Sequence, residues 1–462
     1  MNNIGKHVYF VGIGGIGMSA LARILLGFNI RVSGSDVKNS PLVESLREDG
    51  AQIFIGHNGK QIPADVDLFV YTSAIKGDNP EYLQARERGI KIISRAELLA
   101  MIMAERTSIA IAGAHGKTST TGMIGTMLAY NHLDPTIVIG GMLPNIGGNA
   151  CWGNGEYLVA EADESDGSFL ILNPKMVVVT NVENDHLDYY GTMEKLAEAF
   201  HKFIKQVPED GFVVLGTDNA ILSGFAEVAD KPYITYGLKN PNADYTVKNI
   251  NYQGFGTVTD IYFKDQFLGK LRLSVPGEYN ISNALAGVAV GRALGLSFTE
   301  IADGLAAFAG TGRRFEQLGH NKKDDIVVVD DYAHHPTEIK AVLHGAKNLP
   351  FKRVIGVFQP HRYSRTNMLQ KEFAEAFSDA DIVIINEIYS AFEAPIAGVS
   401  AKLIIDNMLL LEPNKKVYYG ATENDILKLL DEIVQPNDLV MIMGAGNIRH
   451  TGELYAQSLA NK

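Results

Sequence analysis

The sequence predicts an α/β protein of three domains: a Rossmann-like N-terminal domain, a central P-loop ATPase-like domain with a mainly parallel sheet, and a Rossmann-like C-terminal domain. Three observations carry this reading. Short apolar runs alternate with helical patterns along the chain, as parallel sheets with crossover helices require. The 46 glycines gather where such runs end and helices begin. At about 150 residues per domain, a chain of 462 residues holds three.

Taken in order, residues 7–11 read as a strand, followed by a glycine-rich turn and a helix over 19–26. A second strand-like run covers 30–33, and a helix over 95–104 closes the first domain. Residues 107–112 form the next strand, turning at 113–117 into a helix that runs to 128. Strands at 157–160 and 177–182 follow, and the alternating stretch 245–275 reads as β-hairpins. Strands over 326–329, 354–358, 382–385 and 439–443, separated by helical patterns, make the last domain. The boundaries fall near 105 and 313, giving domains 1–105, 106–313 and 314–462, with hinge motion expected at both junctions.

Composition excludes several classes. With 46% apolar and 20% charged residues the chain is neither disordered nor a fibrous repeat. Its 41 basic and 53 acidic residues leave a net charge of −12, without the basic footprint of a nucleic-acid or anionic-membrane binder. The single cysteine, Cys151, allows no disulfide within the chain and fits a reducing compartment. Residues 8–22 are uncharged and mimic a signal peptide, but Gly12, Gly14, Gly15 and Gly17 would weaken the helical segment that a signal needs. No breaker-free apolar run reaches membrane-spanning length. A cytoplasmic protein without membrane insertion is expected.

Two glycine loops follow strands and open helices. Gly12-Ile13-Gly14-Gly15-Ile16-Gly17 fits the G-x-G-x-x-G pattern, with Asp36 about 20 residues further on. A diphosphate at the helix N-terminus and Asp36 on a ribose hydroxyl would suit a dinucleotide, and a UDP-sugar equally well. The plain alternative is a tight structural turn. The second loop, Gly113-Ala114-His115-Gly116-Lys117-Thr118, departs from a full P-loop because Ile111 stands where the first glycine belongs. It keeps what phosphate binding needs: backbone amides, the fixed charge of Lys117, and a Thr118 hydroxyl able to reach Mg2+. Glu161, at a strand tip, offers that ion an oxygen, whereas the later acids of 163–166 suit a solvated turn. A further strand leads to Asn181, Asp185 and His186, and a neutral imidazole can ligate a divalent ion.

In the last domain, the strand over 326–329 leads to Asp330-Asp331-Tyr332-Ala333-His334-His335-Pro336-Thr337-Glu338. Pro336 and Glu338 suit a helix start; Tyr332 and His334 have no such structural purpose. Arg362 and Arg365, three apart beyond the next strand, can clamp carboxylate or phosphate, or else form surface ion pairs. Gly444-Ala445-Gly446-Asn447 is a tight turn without an assigned purpose.

In order, GIGGIGMSALA, GAHGKTSTT, EADESDGSF, NVENDHLDYYG, PGEYNISNALA, GTGRRFE, DDYAHHPTE and FQPHRYSRT resemble the motifs of the Mur ligases over essentially the whole chain. The resemblance implies a first domain for a UDP-sugar, a central domain for ATP, and a last domain for an amino acid. It implies ATP-dependent joining of L-alanine to the carboxylate of UDP-N-acetylmuramate through an acyl phosphate, in peptidoglycan precursor synthesis. ATP and Mg2+ (Mn2+ in its place) are the implied cofactors. Lys117, Thr118 and Ser119, with the loop residues Gly113 to Gly116, would serve the ATP phosphates and metal, while Glu161 and His186 would ligate the metal. Asn283 matches an adenine-side asparagine. Arg314, Tyr332, His334, Arg362 and Arg365 match positions near nucleotide and substrate, and Ser73 joins the first loop on the sugar nucleotide. His334 is expected to orient or deprotonate the amine. A recycling ligase of the same family, which attaches a tripeptide to the same sugar nucleotide, is the near alternative. A nucleotide-sugar dehydrogenase is the distant one, and it would leave Lys117, Glu161 and His186 without a role. The oligomeric state is not legible.

Overall fold

Strands and helices alternate from end to end, and the strands assemble into three sheets of five, ten and six. The structure, a computed structural model, describes residues 4–72, 74, 75, 77–227 and 233–460. They form two compact units, one of residues 1–249, 259–272 and 282–309, the other of 250–258, 273–281 and 310–462.

The first sheet of the first unit contains β1 (His7–Val11), β2 (Arg31–Asp36), β3 (Gln52–Ile55), β4 (Leu68–Tyr71) and β5 (Lys91–Ser94). Their order is β3-β2-β1-β4-β5, all parallel. The His-Val-Tyr-Phe-Val run of β1 is buried throughout, as a central parallel strand covered on both faces must be. Helices α1 (Ile16–Gly27), α2 (Pro41–Glu48), α3 (Pro80–Glu87) and α4 (Arg95–Met103) connect these strands and lead out of the sheet.

The second sheet opens with β6 (Thr107–Ala112), followed by α5 (Lys117–Tyr130), β7 (Thr136–Leu143), β8 (Gly148–Cys151), β9 (Tyr157–Glu161) and β10 (Met176–Val179). After α6 (Leu187–Tyr190) and α7 (Met193–Lys205) come β11 (Phe212–Gly216), α8 (Ala220–Glu227) and β12 (Tyr233–Tyr236). The stretch expected to form hairpins does so, as β13 (Tyr245–Gln253), β14 (Gly256–Phe263) and β15 (Gln266–Leu273), leading to α9 (Glu278–Ala293) and α10 (Phe298–Ala306). The core strands β9, β6 and β10 run parallel side by side, with Glu161 opposite Ile111 and Ala112 opposite Val179. Three strand tips therefore lie in a row. β10 ends at Val179 rather than at residue 182, which leaves the side chains of Thr180 and Asn181 to bind the neighbouring loop.

Within this unit one apolar core runs through both sheets, from Val8, Phe10 and Leu21 to Ala110, Ala150 and Leu158. Phe28 packs against Trp152, and Arg23 donates to Asn149 at 3.1 Å. The fully buried Asn149 donates in turn to Ile16 O and Ser19 Oγ of α1.

The second unit contains β16 (Glu316–Asn321), β17 (Ile326–Asp331), α11 (Pro336–Lys347), β18 (Arg353–Phe358), α12 (Tyr363–Met368), α13 (Gln370–Ala376) and β19 (Ile382–Asn386). Then come α14 (Lys402–Leu411), β20 (Lys416–Gly420), α15 (Glu423–Ile433), β21 (Asp438–Met443) and α16 (Ile448–Ala460). The order is β16-β17-β21-β18-β19-β20, parallel except for β16 against β17. Among the described residues no helix is long and apolar enough to cross a membrane.

Candidate functional site

In the first unit both glycine loops stand where the sequence puts them, at strand tips before helices. Gly12 takes a φ of 76° and donates to Ser35 O at 2.8 Å, fastening the turn to the end of β2. Gly15 is the N-cap of α1, and no side chain caps that terminus. Asp36 accepts from Gly14 N at 2.9 Å, so one carboxylate oxygen braces the loop itself. Ile16 begins α1 and is partly exposed at 38%. Ser73 lies outside the described residues.

The second loop is held from both sides. Gly113 has a φ of 134°, and a Cβ there would fall 2.1 Å from Thr180 Oγ1. Gly116 has a φ of 85°, and a Cβ there would meet Asn283 Oδ1 at 2.6 Å. Both positions require glycine. Asn181 accepts from His115 N at 2.9 Å and donates back to His115 O at 3.0 Å, clamping the loop centre. His115 also faces Glu183, with Nε2 3.4 Å from Oε2. Ala114 donates to Asn181 O, and Ser119 is buried in the first turn of α5.

Lys117 and Thr118 turn towards acids. Thr118 Oγ1 donates to Glu161 Oε2 at 3.2 Å, and Gly140 N donates to the other Glu161 oxygen at 2.6 Å. Lys117 Nζ donates to Glu164 Oε1 at 2.7 Å and to the carbonyls of Gly113 and Ala114. Burial alone would lower the ammonium's pKa, but the Glu164 charge and hydrogen bond outweigh burial and hold it above the ordinary lysine value. His186, with a φ of 61°, sets Nε2 3.8 Å from Glu164 Oε1 and 3.5 Å from Asp185 Oδ2. The expected solvated turn over 163–166 is thus corrected at Glu164. That residue is 1% exposed, since it must sit inside to face the lysine.

The second unit carries its own cluster at the tips of β17, β21 and β18. Asp331 accepts from Phe315 N and Ala333 N, both at 2.8 Å, tying the turn at 310–314 to β17. Burial pushes its carboxyl up to about 6, against the pull of Arg314 and the two backbone bonds. The guanidinium carbons of Arg313 and Arg314 lie 4.9 and 5.4 Å from the Tyr332 ring centroid, placing both cations on one aromatic ring. His334 bonds through Nδ1 to the Tyr332 carbonyl at 2.9 Å; since a carbonyl only accepts, Nδ1 carries the hydrogen and Nε2 the lone pair. Burial, aided by Arg365 and Arg314, pushes this imidazole down to about 4 despite Glu338. Glu338 anchors the backbone of His334 at 3.0 Å and completes the cap of α11.

The His361 ring lies 5.8 Å from His334 and stacks on Tyr389 at 5.7 Å. Burial lowers it to about 4, with His334, Arg365 and Arg362 adding their charge effects. Arg362 caps α12 with a φ of 72°, and Arg365 lies in the same helix. Beyond the tips of β18, β19 and β21 is a cavity of about 330 Å³, lined by Gln359, Asn386, Glu387, Tyr389, Asn447 and Thr451 among others.

Residues 7–107 match the family model described as the Mur ligase family catalytic domain, 111–291 the Mur ligase middle domain, and 313–446 the Mur ligase glutamate ligase domain. The chain belongs to the Mur ligase family. A UDP-N-acetylmuramate--L-alanine ligase of Pelotomaculum thermopropionicum is 50% identical over 97% of this chain and 96% of its own. One from Desulforamulus reducens is 46% identical over 99% and 98%. Among solved structures, the UDP-N-acetylmuramate-alanine ligase of Thermotoga maritima is 30% identical with a TM-score of 0.84, covering 98% of this chain and 99% of its own. A murein peptide ligase of Psychrobacter arcticus is 25% identical with a TM-score of 0.70, at 99% coverage of both chains.

Mur ligases depend on ATP, and the second loop suits a phosphate chain with a hard cation. Thr118 and Glu161 present adjacent oxygen donors. Glu164 Oε2 is buried without a hydrogen-bond partner among the described residues, and the two left-handed glycines keep the loop backbone open. Of the residues singled out in the sequence, Lys117, Thr118, Glu161, His186 and Asn283 are gathered around one loop, and Arg314, Tyr332, His334, Arg362 and Arg365 around the other unit's strand tips. The structure adds Arg95, Glu164, Arg313 and His361 to these clusters. The last two were visible in GTGRRFE and FQPHRYSRT, while Arg95 carried no local signal.

Proposed function

We propose that this chain joins L-alanine to the lactyl carboxylate of UDP-N-acetylmuramate, with ATP cleaved to ADP and phosphate, in the cytoplasmic assembly of peptidoglycan precursors. Identities of 50% and 46%, over 97% and 99% of this chain, to relatives bearing that activity in their names carry the reading. Residues 1–105 take the UDP-sugar on Gly12, Gly14, Gly15, Ile16 and Gly17, with Asp36 bracing the loop. Residues 106–313 take ATP on Gly113 to Ser119 with Asn283, and residues 314–462 take the amino acid.

The chemistry follows from a poor leaving group. A carboxylate does not react with an amine because oxide cannot leave. Its oxygen attacks the γ-phosphorus of ATP, ADP departs, and the acyl phosphate now carries phosphate as leaving group. Lys117 and the loop amides hold the transferring phosphoryl oxygens. Thr118, Glu161 and His186 would hold Mg2+, or Mn2+ in its place, which supplies charge neutralisation on the phosphates. Alanine's neutral amine attacks the carbonyl, the tetrahedral adduct expels phosphate, and the amine's proton leaves. His334, neutral with its Nε2 lone pair available, orients that amine or accepts its proton. Arg314, Arg362 and Arg365 offer charge to anionic groups, and Tyr332 steadies the Arg314 guanidinium over its ring.

The test is phosphate release from ATP and Mg2+, omitting each component in turn. Release that needs both UDP-N-acetylmuramate and L-alanine supports the reading. A requirement for a murein tripeptide would move the chain to the recycling branch, and NAD reduction without ATP cleavage would overturn the proposal.

A further inference from the structure

Two cations of the first unit, one beside the first glycine loop and one within the second, pair with the same acidic dipeptide. Arg95, the first residue of α4, lies across the first loop, where a Cβ on Gly17 would stand 3.2 Å from its Cδ and Nη1. Its Nη2 donates to Asp163 Oδ2 at 3.2 Å, and Asp163 is its one partner among the described residues. A guanidinium has five N–H donors, so most of this one's capacity is unspent beside the uncapped end of α1. Lys117, the first residue of α5, spends all three of its donors, on Glu164 and on the carbonyls of Gly113 and Ala114. A phosphate can engage Lys117 only by displacing one of them. Asp163 and Glu164 are adjacent in the chain, and the 2%-exposed Glu164 side chain leaves little solvent to screen its charge.

We propose that Asp163 and Glu164 couple the two loops: a ligand that draws the cation of one loop off its carboxylate alters the hold of the pair on the other cation, so each ligand changes the affinity of the other. The proposal rests on the reading of the loops as UDP-sugar and ATP sites. The two states are concrete. In one, Arg95 and Lys117 are both paired to the dipeptide, as here; in the other, one cation serves a ligand and a bare carboxylate faces the remaining cation. Linkage makes the effect reciprocal.

Calorimetric titration of the full chain tests this, with UDP-N-acetylmuramate and ADP plus Mg2+ as probes, each alone and each in the presence of the other. In the wild type, either ligand is expected to shift the other's Kd by about fivefold or more, by the same factor in both directions. Asp163→Asn keeps an oxygen for the Ser165 amide and removes the charge. It should bind each ligand alone and bring the factor close to one. Arg95→Gln should also remove the coupling, besides weakening the sugar nucleotide, so the proposal stays testable if the first variant does not fold. A wild-type factor of one, or an unchanged factor in a folded variant, overturns the coupling while leaving both sites in place. A wild-type protein that binds neither probe overturns the assignment of the loops, and the coupling with it.

Discussion

His334 ties a proton count to a role. An unfolded imidazole gains its proton near 6.5, but burial, with Arg365 and Arg314, holds this one down to about 4. Between those values the unfolded chain binds a proton that the folded chain refuses. The stability that His334 contributes is therefore present above 6.5 and lost as the pH falls towards 4. Urea unfolding from pH 7 to pH 4 should show a shallower loss for His334→Asn than for the wild type, and the His334 ring resonances should not titrate above pH 5. His334→Ala should cut turnover by about 10²-fold or more; wild-type turnover across pH would remove it from amine handling. Lys117→Ala should abolish turnover and leave UDP-N-acetylmuramate binding in the absence of nucleotide largely intact, as calorimetry would show. Lys117 was legible as a candidate because a local pattern, a glycine loop between strand and helix, marks it. Glu164 was not, because an acid in a polar run looks solvated until the fold turns it inward to a lysine 47 positions away.

The second glycine loop behaves as an element with two fixed points. At Gly116 a methyl group would be forced onto Asn283 Oδ1 in a backbone region that costs an alanine about 1 kcal/mol or more. Gly116→Ala should weaken ADP binding on the order of 10-fold and lower the melting temperature by a few degrees, read by calorimetry and thermal denaturation. Helix α11 starts on a capping box in which Glu338 bonds the backbone of both His334 and His335. Glu338→Ala should cost about 1 kcal/mol of stability and also loosen His334, so turnover should fall further than stability alone explains. Pro336 and Glu338 announced this helix start in the sequence. What the sequence hid at this scale is the clamp: Thr180 and Asn181 looked like strand, and only the end of β10 at Val179 frees them to bond His115.

Across the whole molecule the strand-and-helix alternation gave away the three sheets, because many of the turns between them carry glycines or helix caps. Short strands such as β8 and β12 escaped notice for want of a pattern longer than four residues. At the junction near residue 105, α1 lies on β7 and β8, Trp152 meets Phe28, and one core fills both sheets of the first unit. Trp152→Ala, which empties that junction, should destabilise both sheets in one calorimetric transition, by up to about 3 kcal/mol. The position of β21 has a different consequence. It lies between β17 and β18, strands completed on the order of 100 residues earlier in synthesis. Until β21 leaves the ribosome, β17 and β18 each present an unpaired apolar edge, and the domain cannot close around a partial sheet. A chain stalled before Asp438 is therefore not a shorter domain but an open one, exposed to aggregation and a natural client for chaperones.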